Sequence, residues 1–322
     1  MDPASNDREK RATTVLITGA GGFVGRHLTA ALTAAHPDWR LEAPASPDGA
    51  VSVDVTDAEA VDAWVEQVRP DRVVHLAAIA AVTASVKDPR LAWDVNLGGT
   101  LNLVLAMQRF TPGAHLLFVS SAEVYGDSIK GLHTVDEGAL LQPLNPYAAS
   151  KAAADILVRQ AAAAGLAATV MRPFNHTGPG QSDAFVVPNF AGQIARIEAG
   201  LQPPLIEVGS LDEERDFLDV ADVVAAYQLI LEHPPEANAP NVFNVASGVA
   251  VRIGDLLDRL LSHAALKIEV RVDPGRLRST PLRRIVGDAS RLRALGWSPA
   301  KAVDDTILDV LEDRRRAFGL GR

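Results

Sequence analysis

The strongest constraint on the fold is a glycine-rich turn close to the start of the 322-residue chain. A β-branched apolar run, Thr14–Thr18, leads directly into Gly19, Gly22 and Gly25 at the spacing G-x-x-G-x-x-G, and an apolar-periodic helix follows. Glycine permits a tight turn there and lets the backbone approach a pyrophosphate, whose charge the helix N-terminus helps to hold. Strand, glycine turn and helix in this order predict a dinucleotide-binding unit.

Residues 40–43 are predicted to form the second strand, whose end carries the group that contacts the adenosine ribose. An Asp at that position favours NAD. Here Pro44, Ala45, Ser46 and Pro47 follow, without an acidic residue. The sequence therefore favours NADPH over NADH as cofactor, with Ser46 and Arg26 as candidate contacts to the 2′-phosphate.

Two further strands are predicted over residues 51–57 and 72–78. Asp54 is placed to accept a hydrogen bond from an adenine amino group, or else to form a turn or cap. The strand over 72–78 opens onto the small side chains Ala77 and Ala78, which leave room for a flat cofactor. His75 lies within this apolar run, where a core histidine is the favoured interpretation over a ligand.

A long helix is predicted over residues 91–110 and a fifth strand over 115–120, directly before Ser121. A loop of some 20 residues then leads to the stretch that contains Tyr147, and a loop of this length favours a functional explanation. Ligands of open α/β sheets bind at the carboxyl ends of parallel strands. We therefore expect Ser121 to lie near the Tyr147 phenol.

Tyr147 and Lys151 follow Pro146 at a spacing that places both side chains on one face of a helix. An ammonium beside a phenol favours the phenolate, so Lys151 is expected to lower the Tyr147 pKa and make the phenol an acid or base near neutral pH. The alternative is an ordinary surface pair on an alanine-rich helix. The pair is a candidate catalytic site that needs support from the rest of the chain.

Composition excludes several classes of function. The formal charge of −9 argues against nonspecific nucleic-acid binding, and no apolar run approaches the length of a membrane span. The chain has no cysteine, which excludes disulfides, thiolate zinc sites and thiol catalysis and suits a reducing cytoplasm. No metal site is predicted, and residues 1–11 are expected to be a flexible tail.

Taken together, these motifs resemble the extended short-chain dehydrogenase/reductase family over nearly the whole chain. The resemblance includes the glycine triplet, Asp54, residues 75–78, Asn96, Ser121 and the Tyr147–Lys151 pair. It implies an α/β fold, with a Rossmann-type doubly wound parallel sheet and a smaller C-terminal substrate-binding α/β region. Its implied cofactor contacts are Gly19, Gly22, Phe23, Val24, Ser46, Asp54, Val55, Leu76, Ala77, Ala78, Tyr147, Lys151 and Pro173.

The same resemblance implies roles for the central side chains. Ser121 and Tyr147 are expected to bind the reacting oxygen, with Tyr147 transferring the proton. Lys151 is expected to hold the nicotinamide ribose and to lower the Tyr147 pKa, and Asn96 is expected to be structural.

Residues 171–181 and 185–188 resemble the GDP-4-dehydro-6-deoxy-D-mannose reductases in particular. This implies reduction of a nucleotide-linked 4-keto-6-deoxyhexose at C4, with GDP-D-rhamnose as the product. Asn175, Arg215 and Arg276 are the implied contacts to the sugar, the diphosphate or the ribose, while His176 either contacts substrate or holds its loop. Relatives more often continue Pro-x-Asp-x-Pro where this chain has residues 279–284, so guanine is less firmly implied than the reaction type.

The resemblance also predicts how the chain is divided. Residues 12–172 form the NAD(P)-binding domain, to which 215–247 return, while 173–214 and 248–318 form the substrate-binding region. Helices within residues 91–110 and 147–165 pair subunits in relatives, so a homodimer is expected. The basic cluster Arg314, Arg315 and Arg316 is interpreted as the ordinary charge complement of a helix C-terminus.

Three other functions remain open at this point. A sugar-nucleotide 4,6-dehydratase of the GDP-mannose type would use Glu123 as the base, and Ala122, which replaces an acid used by many dehydratases, does not exclude it. A C4 epimerase is a second alternative. A dinucleotide-sensing regulator is a third, although the joint presence of Ser121, Tyr147 and Lys151 favours catalysis.

Overall fold

The computed structural model describes residues 12–43, 53–235, 241–276 and 282–320. In these ranges the largest sheet has six strands, all parallel, in the order β2-β1-β3-β4-β5-β9. Its strands are β1 Thr14–Thr18, β2 Arg40–Glu42, β3 Arg72–His75, β4 His115–Val119, β5 Ala168–Pro173 and β9 Val242–Val245.

Helices cover both faces of this sheet because alternate strand residues point to opposite sides. Val15 and Ile17 of β1 pack on the face covered by α1 (Phe23–Ala35) and α8 (Val220–Glu232). Leu16, between them, packs on the opposite face. That face is covered by α2 (Ala58–Val68), α5 (Gly99–Phe110) and α6 (Pro146–Ala163). The doubly wound fold expected from the sequence is confirmed.

The chain before α6 is less regular than predicted. The helix expected over residues 91–110 is instead three segments: α4 (Pro89–Trp93), a π-helical turn (Asp94–Gly98) and α5. A short helix, α3 (Val82–Lys87), precedes them, and two 3₁₀ turns follow β4 at Ala122–Tyr125 and Asp127–Ile129. The strand predicted over 51–57 falls partly outside the described residues, and its described part is a turn that ends at Asp57, the N-cap of α2.

The remaining elements form a second region beside the carboxyl end of the sheet. Strand β8 (Glu214–Asp219) pairs with β6 (Asn175–Thr177), β10 (Ala250–Arg252) and β12 (Arg284–Ile285), while β7 (Leu205–Val208) pairs with β11 (Glu269–Val272). A separate apolar cluster joins α7 (Val186–Glu198), α9 (Ile253–Ser262) and α11 (Val303–Ala317). A 3₁₀ turn (Pro274–Arg276) and α10 (Ser290–Arg293) complete the elements.

After β8 the chain returns to the six-stranded sheet. Helix α8 packs against α1, and β9 pairs with β5 at the end of the sheet. Within the ranges that the structure describes, no helix is both long and apolar enough to cross a membrane, and no group of three or more His, Asp or Glu side chains could hold a metal ion.

Candidate active site

The glycine turn after β1 is built so tightly that two of its positions exclude a side chain. Gly19 has φ +71°, and a Cβ there would lie 2.6 Å from the Ala77 backbone nitrogen. A Cβ at Gly25 would lie 2.3 Å from the Gly19 carbonyl oxygen. Gly22 is the N-cap of α1, so unpaired N–H groups of the first helical turn face outward from this turn. The geometry suits a pyrophosphate.

A buried histidine ties the glycine turn to the next strand. His75 contacts Thr18 Oγ1 at 2.7 Å and Thr100 Oγ1 at 3.0 Å, and burial lowers its pKa to about 3. Thr18 Oγ1 also accepts from the Ala77 backbone nitrogen at 3.2 Å. The ring is therefore neutral and structural, which confirms the core interpretation and fixes the position of residues 76–78.

Ser121 begins the 3₁₀ turn that follows β4, at the carboxyl end of the sheet. Its Oγ accepts from the Glu123 backbone nitrogen at 3.2 Å, and its hydroxyl is near enough to the Tyr147 phenol to lower the pKa of that phenol. Ser121 is 8% exposed and Tyr147 is 9% exposed. The two groups expected to meet are thus brought together in a nearly dry site.

Helix α6 carries Tyr147 in its first turn because Asn145 caps the helix. The Asn145 Oδ1 accepts from the Ala148 backbone nitrogen at 2.8 Å, and Pro146 occupies the first helical position. The Asn145 Nδ2 also donates to Glu123 at 3.2 Å. The cap therefore fixes the helix that bears Tyr147 against the turn that bears Ser121.

The pKa of Tyr147 moves in the direction opposite to the prediction. Burial raises it to about 12, the nearby Ser121 hydroxyl opposes that rise, and the Glu123 charge adds to it. The Lys151 ammonium donates to the Val119 carbonyl and lies 4.7 Å from the centre of the Phe118 ring. The expected lowering was wrong because the free energy of burying a phenolate dominates at this depth. Tyr147 is held as a protonated phenol.

Lys151 is itself strongly perturbed. Its side chain is 3% exposed, and burial lowers its pKa from 10.5 to about 7, against the charge of Asp155 one helical turn later. Asn96 holds the loop beside this helix: its Oδ1 accepts from the Ile79 backbone nitrogen at 2.8 Å, and its Nδ2 donates to Ser150 Oγ at 2.9 Å. This agrees with the structural role expected for Asn96.

The predicted adenosine contacts are only partly described. The Asp54 Oδ1 accepts from both the backbone nitrogen and the hydroxyl of Thr56, at 2.9 and 2.8 Å, and these bonds lower the Asp54 pKa. Asp54 is exposed, whereas Val55 is buried against Gly99. A contact from Asp54 to adenine remains a prediction, and Ser46 lies outside the described residues.

The loop after β5 is held from several sides. Pro173 ends β5, Asn175 begins β6 with its side chain exposed, and the His176 ring stacks on Phe23 with centroids 6.3 Å apart. His176 Nδ1 donates to the Phe174 carbonyl at 3.0 Å, and burial lowers the pKa of this histidine. These contacts favour the interpretation in which His176 holds its loop.

Arg26 also joins the glycine turn to this loop. Its guanidinium donates to the carbonyls of Gly21 at 2.6 Å and Gly180 at 3.1 Å. These bonds direct the side chain towards the substrate loop, and they do not support the predicted contact of Arg26 with a 2′-phosphate.

The two arginines implied as diphosphate contacts lie in different surroundings. Arg215 donates to the carbonyls of Glu214, Leu282 and Arg283 at 2.9, 3.3 and 3.3 Å. Burial lowers its pKa, and the charges of Glu123 and Glu213 oppose that change. Arg276, by contrast, donates to the Glu207 carbonyl at 3.0 Å.

Arg276 is one wall of a cavity of about 340 Å³ between α7, β7 and β11. Two further arginines line it, together with amide side chains and Glu207. The lining residues are Asn189, Gln193, Arg196, Gln202, Pro203, Leu205, Glu207, Arg271 and Arg276. Guanidinium groups bind phosphate in pairs of hydrogen bonds, so this cavity suits an anionic ligand with polar edges.

Sequence reasoning missed two sets of charged side chains. Arg172 and Asp155 form an ion pair that is at most 1% exposed. Arg314, Arg315 and Arg316 lie in the last turn of α11, as predicted, but Arg314 also binds the Gln181 carbonyl and Asp183, and Arg315 also binds Glu198. The local sequence signal for the buried ion pair was Arg172, a charged residue near the end of the otherwise apolar strand β5.

The chain matches the model of the NAD dependent epimerase/dehydratase family over residues 15–246. It is 40% identical to GDP-6-deoxy-D-mannose reductase of Pseudomonas aeruginosa, covering 93% of this chain and 96% of that one. It is 31% identical to GDP-mannose 4,6 dehydratase 2 of Arabidopsis thaliana, covering 81% of this chain and 70% of that one.

A solved structure, that of RMD from Pseudomonas aeruginosa complexed with NADPH, matches with a TM-score of 0.84 at 38% identity. The match covers 95% of this chain and all of the other. The sequence matches, the fold match and the arrangement of Ser121, Tyr147 and Lys151 therefore indicate the same family. The chain belongs to the NAD dependent epimerase/dehydratase family, within the extended short-chain dehydrogenases/reductases.

Proposed function

We propose that this protein reduces the C4 keto group of GDP-4-dehydro-6-deoxy-D-mannose with NADPH and releases GDP-D-rhamnose. The observation that carries the proposal is the pairing of two buried hydroxyls, that of Ser121 after β4 and that of the protonated Tyr147, which lies one helical turn before Lys151. The reductase of Pseudomonas aeruginosa, 40% identical over 93% of this chain, supports the choice of substrate.

The chain fits a nicotinamide dinucleotide. The glycine turn forms a cradle with no room for a Cβ at Gly19 or Gly25, and the Ser120 hydroxyl is buried at the end of β4 without a hydrogen-bond partner among the described residues. We assign the pyrophosphate to the turn at Gly22, Phe23 and Val24, and the nicotinamide ribose to Lys151. When bound, the reduced nicotinamide supplies the hydride.

Tyr147 and Ser121 then act on the sugar oxygen. Both hydroxyls converge on one point, where they donate hydrogen bonds to the C4 carbonyl oxygen and stabilise the alkoxide that forms there. Tyr147 transfers its proton to this alkoxide, and a phenol pKa near 12 keeps that proton available until the alkoxide develops. Lys151, as an ammonium, stabilises the phenolate that remains.

We assign the nucleotide part of the substrate to Arg215 and to the cavity lined by Arg276. We propose residues 173–214 and 248–318 as the substrate-binding region. The cavity belongs to this region, and Arg215 lies in β8 at its border. Arg215 is close enough to Glu123, in the turn that Ser121 caps, for the Glu123 charge to affect its pKa, while Arg196, Arg271 and Arg276 line the cavity. The exposed Asn175, in the strand that pairs with β8, is proposed as a sugar contact.

A 4,6-dehydratase is the second candidate because Glu123 is part of the site. Dehydration needs a base at C5 of the sugar, and the Glu123 carboxylate contributes to the electrostatics of both Tyr147 and Arg215. Its hydrogen bond with Asn145 gives it a structural role in addition. Reduction needs no such base, so Glu123 is the residue that distinguishes the two proposals.

The two reactions differ in cofactor consumption. The purified protein is incubated with NADPH and GDP-4-dehydro-6-deoxy-D-mannose, and loss of nicotinamide absorbance is followed with NADH as the comparison. One NADPH oxidised per sugar, with an NMR spectrum of GDP-D-rhamnose, supports the proposal; GDP-6-deoxy-D-talose would correct the stereochemistry. Conversion of GDP-mannose without net NADPH loss would establish dehydration instead.

We further infer a homodimer in the cytoplasm. The helices α4, α5 and α6 pack together and carry exposed apolar side chains: Leu91, Trp93, Leu101, Leu105 and Ile156. Contiguous exposed apolar surface of this kind marks interaction sites. Light scattering should give the dimer mass for the natural chain and the monomer mass for Leu105→Glu; a natural chain that is monomeric would contradict this inference.

A further inference from the structure

Arg172 and Asp155 form a fully buried ion pair next to the catalytic helix. Arg172 is 1% exposed and Asp155 is 0% exposed. The guanidinium donates to both carboxylate oxygens, from Nε and Nη2, at 2.9 Å each. Removing two charges from water is costly, and apolar side chains of similar volume are often at least as stable in such a place. A contribution to stability therefore does not explain the pair.

The same guanidinium joins three further parts of the chain. Its Nη1 donates to the Tyr125 hydroxyl at 3.0 Å and to the Glu137 carbonyl at 3.3 Å. The Tyr125 hydroxyl in turn donates to Asn244 Oδ1 in β9 at 2.6 Å. One side chain thus connects β5, α6, the 3₁₀ turn after β4, and β9.

These connected elements are the ones that carry the reacting groups. Asp155 lies one helical turn after Lys151 and two turns after Tyr147 on α6. Tyr125 ends the 3₁₀ turn that Ser121 caps. Arg172 directly precedes Pro173, where the chain leaves β5 for the substrate loop. A shift of the guanidinium would move the phenol and the hydroxyl relative to each other.

We propose that Arg172 and Asp155 are positioning residues, whose buried ion pair sets the distance between the Tyr147 phenol and the Ser121 hydroxyl so that both reach the same substrate oxygen. This inference rests on the proposed reductase function. Hydrogen bonds of this kind have a fixed, bidentate geometry that a lysine in place of Arg172 cannot reproduce. A misplacement of about 1 Å can cost about a hundredfold in rate.

Two variants and one matched control test the proposal. Arg172→Lys keeps the positive charge but loses the bidentate hydrogen bonding to Asp155. The double variant Arg172→Met with Asp155→Leu replaces the ion pair by apolar side chains and leaves the Tyr125 hydroxyl bonded to Asn244. The control is Arg159→Gln, because Arg159 donates to the same Asp155 carboxylate at 2.8 Å but from the outer side of α6, where it is 44% exposed.

We expect both variants to lower kcat by about tenfold to a hundredfold while KM for NADPH and for the sugar nucleotide changes by less than about threefold. The control should keep kcat within about twofold. A folded double variant with natural kcat would overturn the proposal. Arg172→Lys decides the question if the double variant does not fold.

A second measurement does not depend on turnover. The chain has three tyrosines, so the ¹³Cζ signals of labelled tyrosine are resolvable, and Tyr147→Phe assigns one of them. The Tyr147 signal should move in both variants, because the position of the phenol relative to the Ser121 hydroxyl changes there. In the control this position is kept, so the signal should not move. If the natural chain shows no reductase activity, the proposed function fails, while an unmoved Tyr147 signal in the double variant is what overturns the positioning role.

Discussion

Lys151→Met should make the isolated protein more stable at neutral pH although it damages the active site. Burial lowers the Lys151 pKa from 10.5 to about 7. Each pKa unit corresponds to about 1.36 kcal/mol, so holding this buried ammonium costs the fold about 5 kcal/mol at and below pH 7. Methionine fills a similar volume without a charge.

Part of that gain is offset by contacts that the ammonium makes. The Val119 carbonyl loses a donor, which costs about 1–3 kcal/mol, and the contact with the Phe118 ring is worth about 0.5–2 kcal/mol. The free energy of unfolding of the variant should therefore exceed that of the natural chain by up to about 3.5 kcal/mol near pH 7. NADPH affinity should fall at the same time, as expected where a functional group is kept at the expense of stability.

The pH dependence gives the sharper test. Below about pH 7 both the folded and the unfolded natural chain carry the proton, and the full cost is present. Between about pH 7 and about pH 10.5 only the unfolded chain keeps the proton, so the natural chain gains stability with rising pH by about 1.36 kcal/mol per pH unit. The advantage of the methionine variant should shrink by the same amount and then reverse.

Urea unfolding followed by the fluorescence of the four tryptophans measures this difference from about pH 6 to about pH 9. Lys87→Met is the control, since Lys87 is exposed on α3 and its removal should give a difference that does not vary with pH. A constant difference for Lys151→Met over this range, or one that grows with pH, would refute the claim that burial disfavours the ammonium.

Three further changes test the site. Tyr147→Phe should lower kcat by about 10²–10⁴ but change unfolding free energy by less than about 1 kcal/mol, because Ser121 keeps its bond from Glu123; natural turnover would remove Tyr147 from the mechanism. Gly25→Ala forces a Cβ to 2.3 Å from the Gly19 carbonyl, so NADPH affinity in a fluorescence titration should fall at least about tenfold, and an unchanged affinity would contradict the cradle. Glu123→Gln should keep reduction within about tenfold, since reduction needs no base there, whereas a loss of about a thousandfold or more would favour an acid–base role.

The sequence predicted the parts of the site that depend on local pattern. The glycine spacing after an apolar strand is a local steric requirement, and the structure places Gly19 and Gly25 where no side chain fits. The four-residue spacing of Tyr147 and Lys151 with the cap at Asn145 is local as well, and it yields the helix start that was expected. The core role of His75 followed from its apolar neighbours.

Properties that depend on burial, or on contacts between residues distant in the sequence, could not be predicted from local patterns. The Tyr147 pKa moves upward because of burial, which no four-residue spacing reveals. Arg172 meets Asp155 across 17 residues and Tyr125 across 47, and Arg314 meets Gln181 across 133. Such contacts are fixed by the order of strands in the sheet, and no local sequence pattern specifies that order.

The return of α8 and β9 to the six-stranded sheet has a consequence for biosynthesis. Without α8, one face of the sheet lacks a covering helix beside α1, and without β9, strand β5 is an open edge. The ribosome must therefore synthesise the whole segment that contains β6, β7 and β8 before the six-stranded sheet can be completed. A nascent chain that pauses within this segment exposes both an apolar face of the sheet and the unpaired edge of β5. We expect such a chain to depend on chaperones more than one whose nucleotide-binding half is contiguous in sequence.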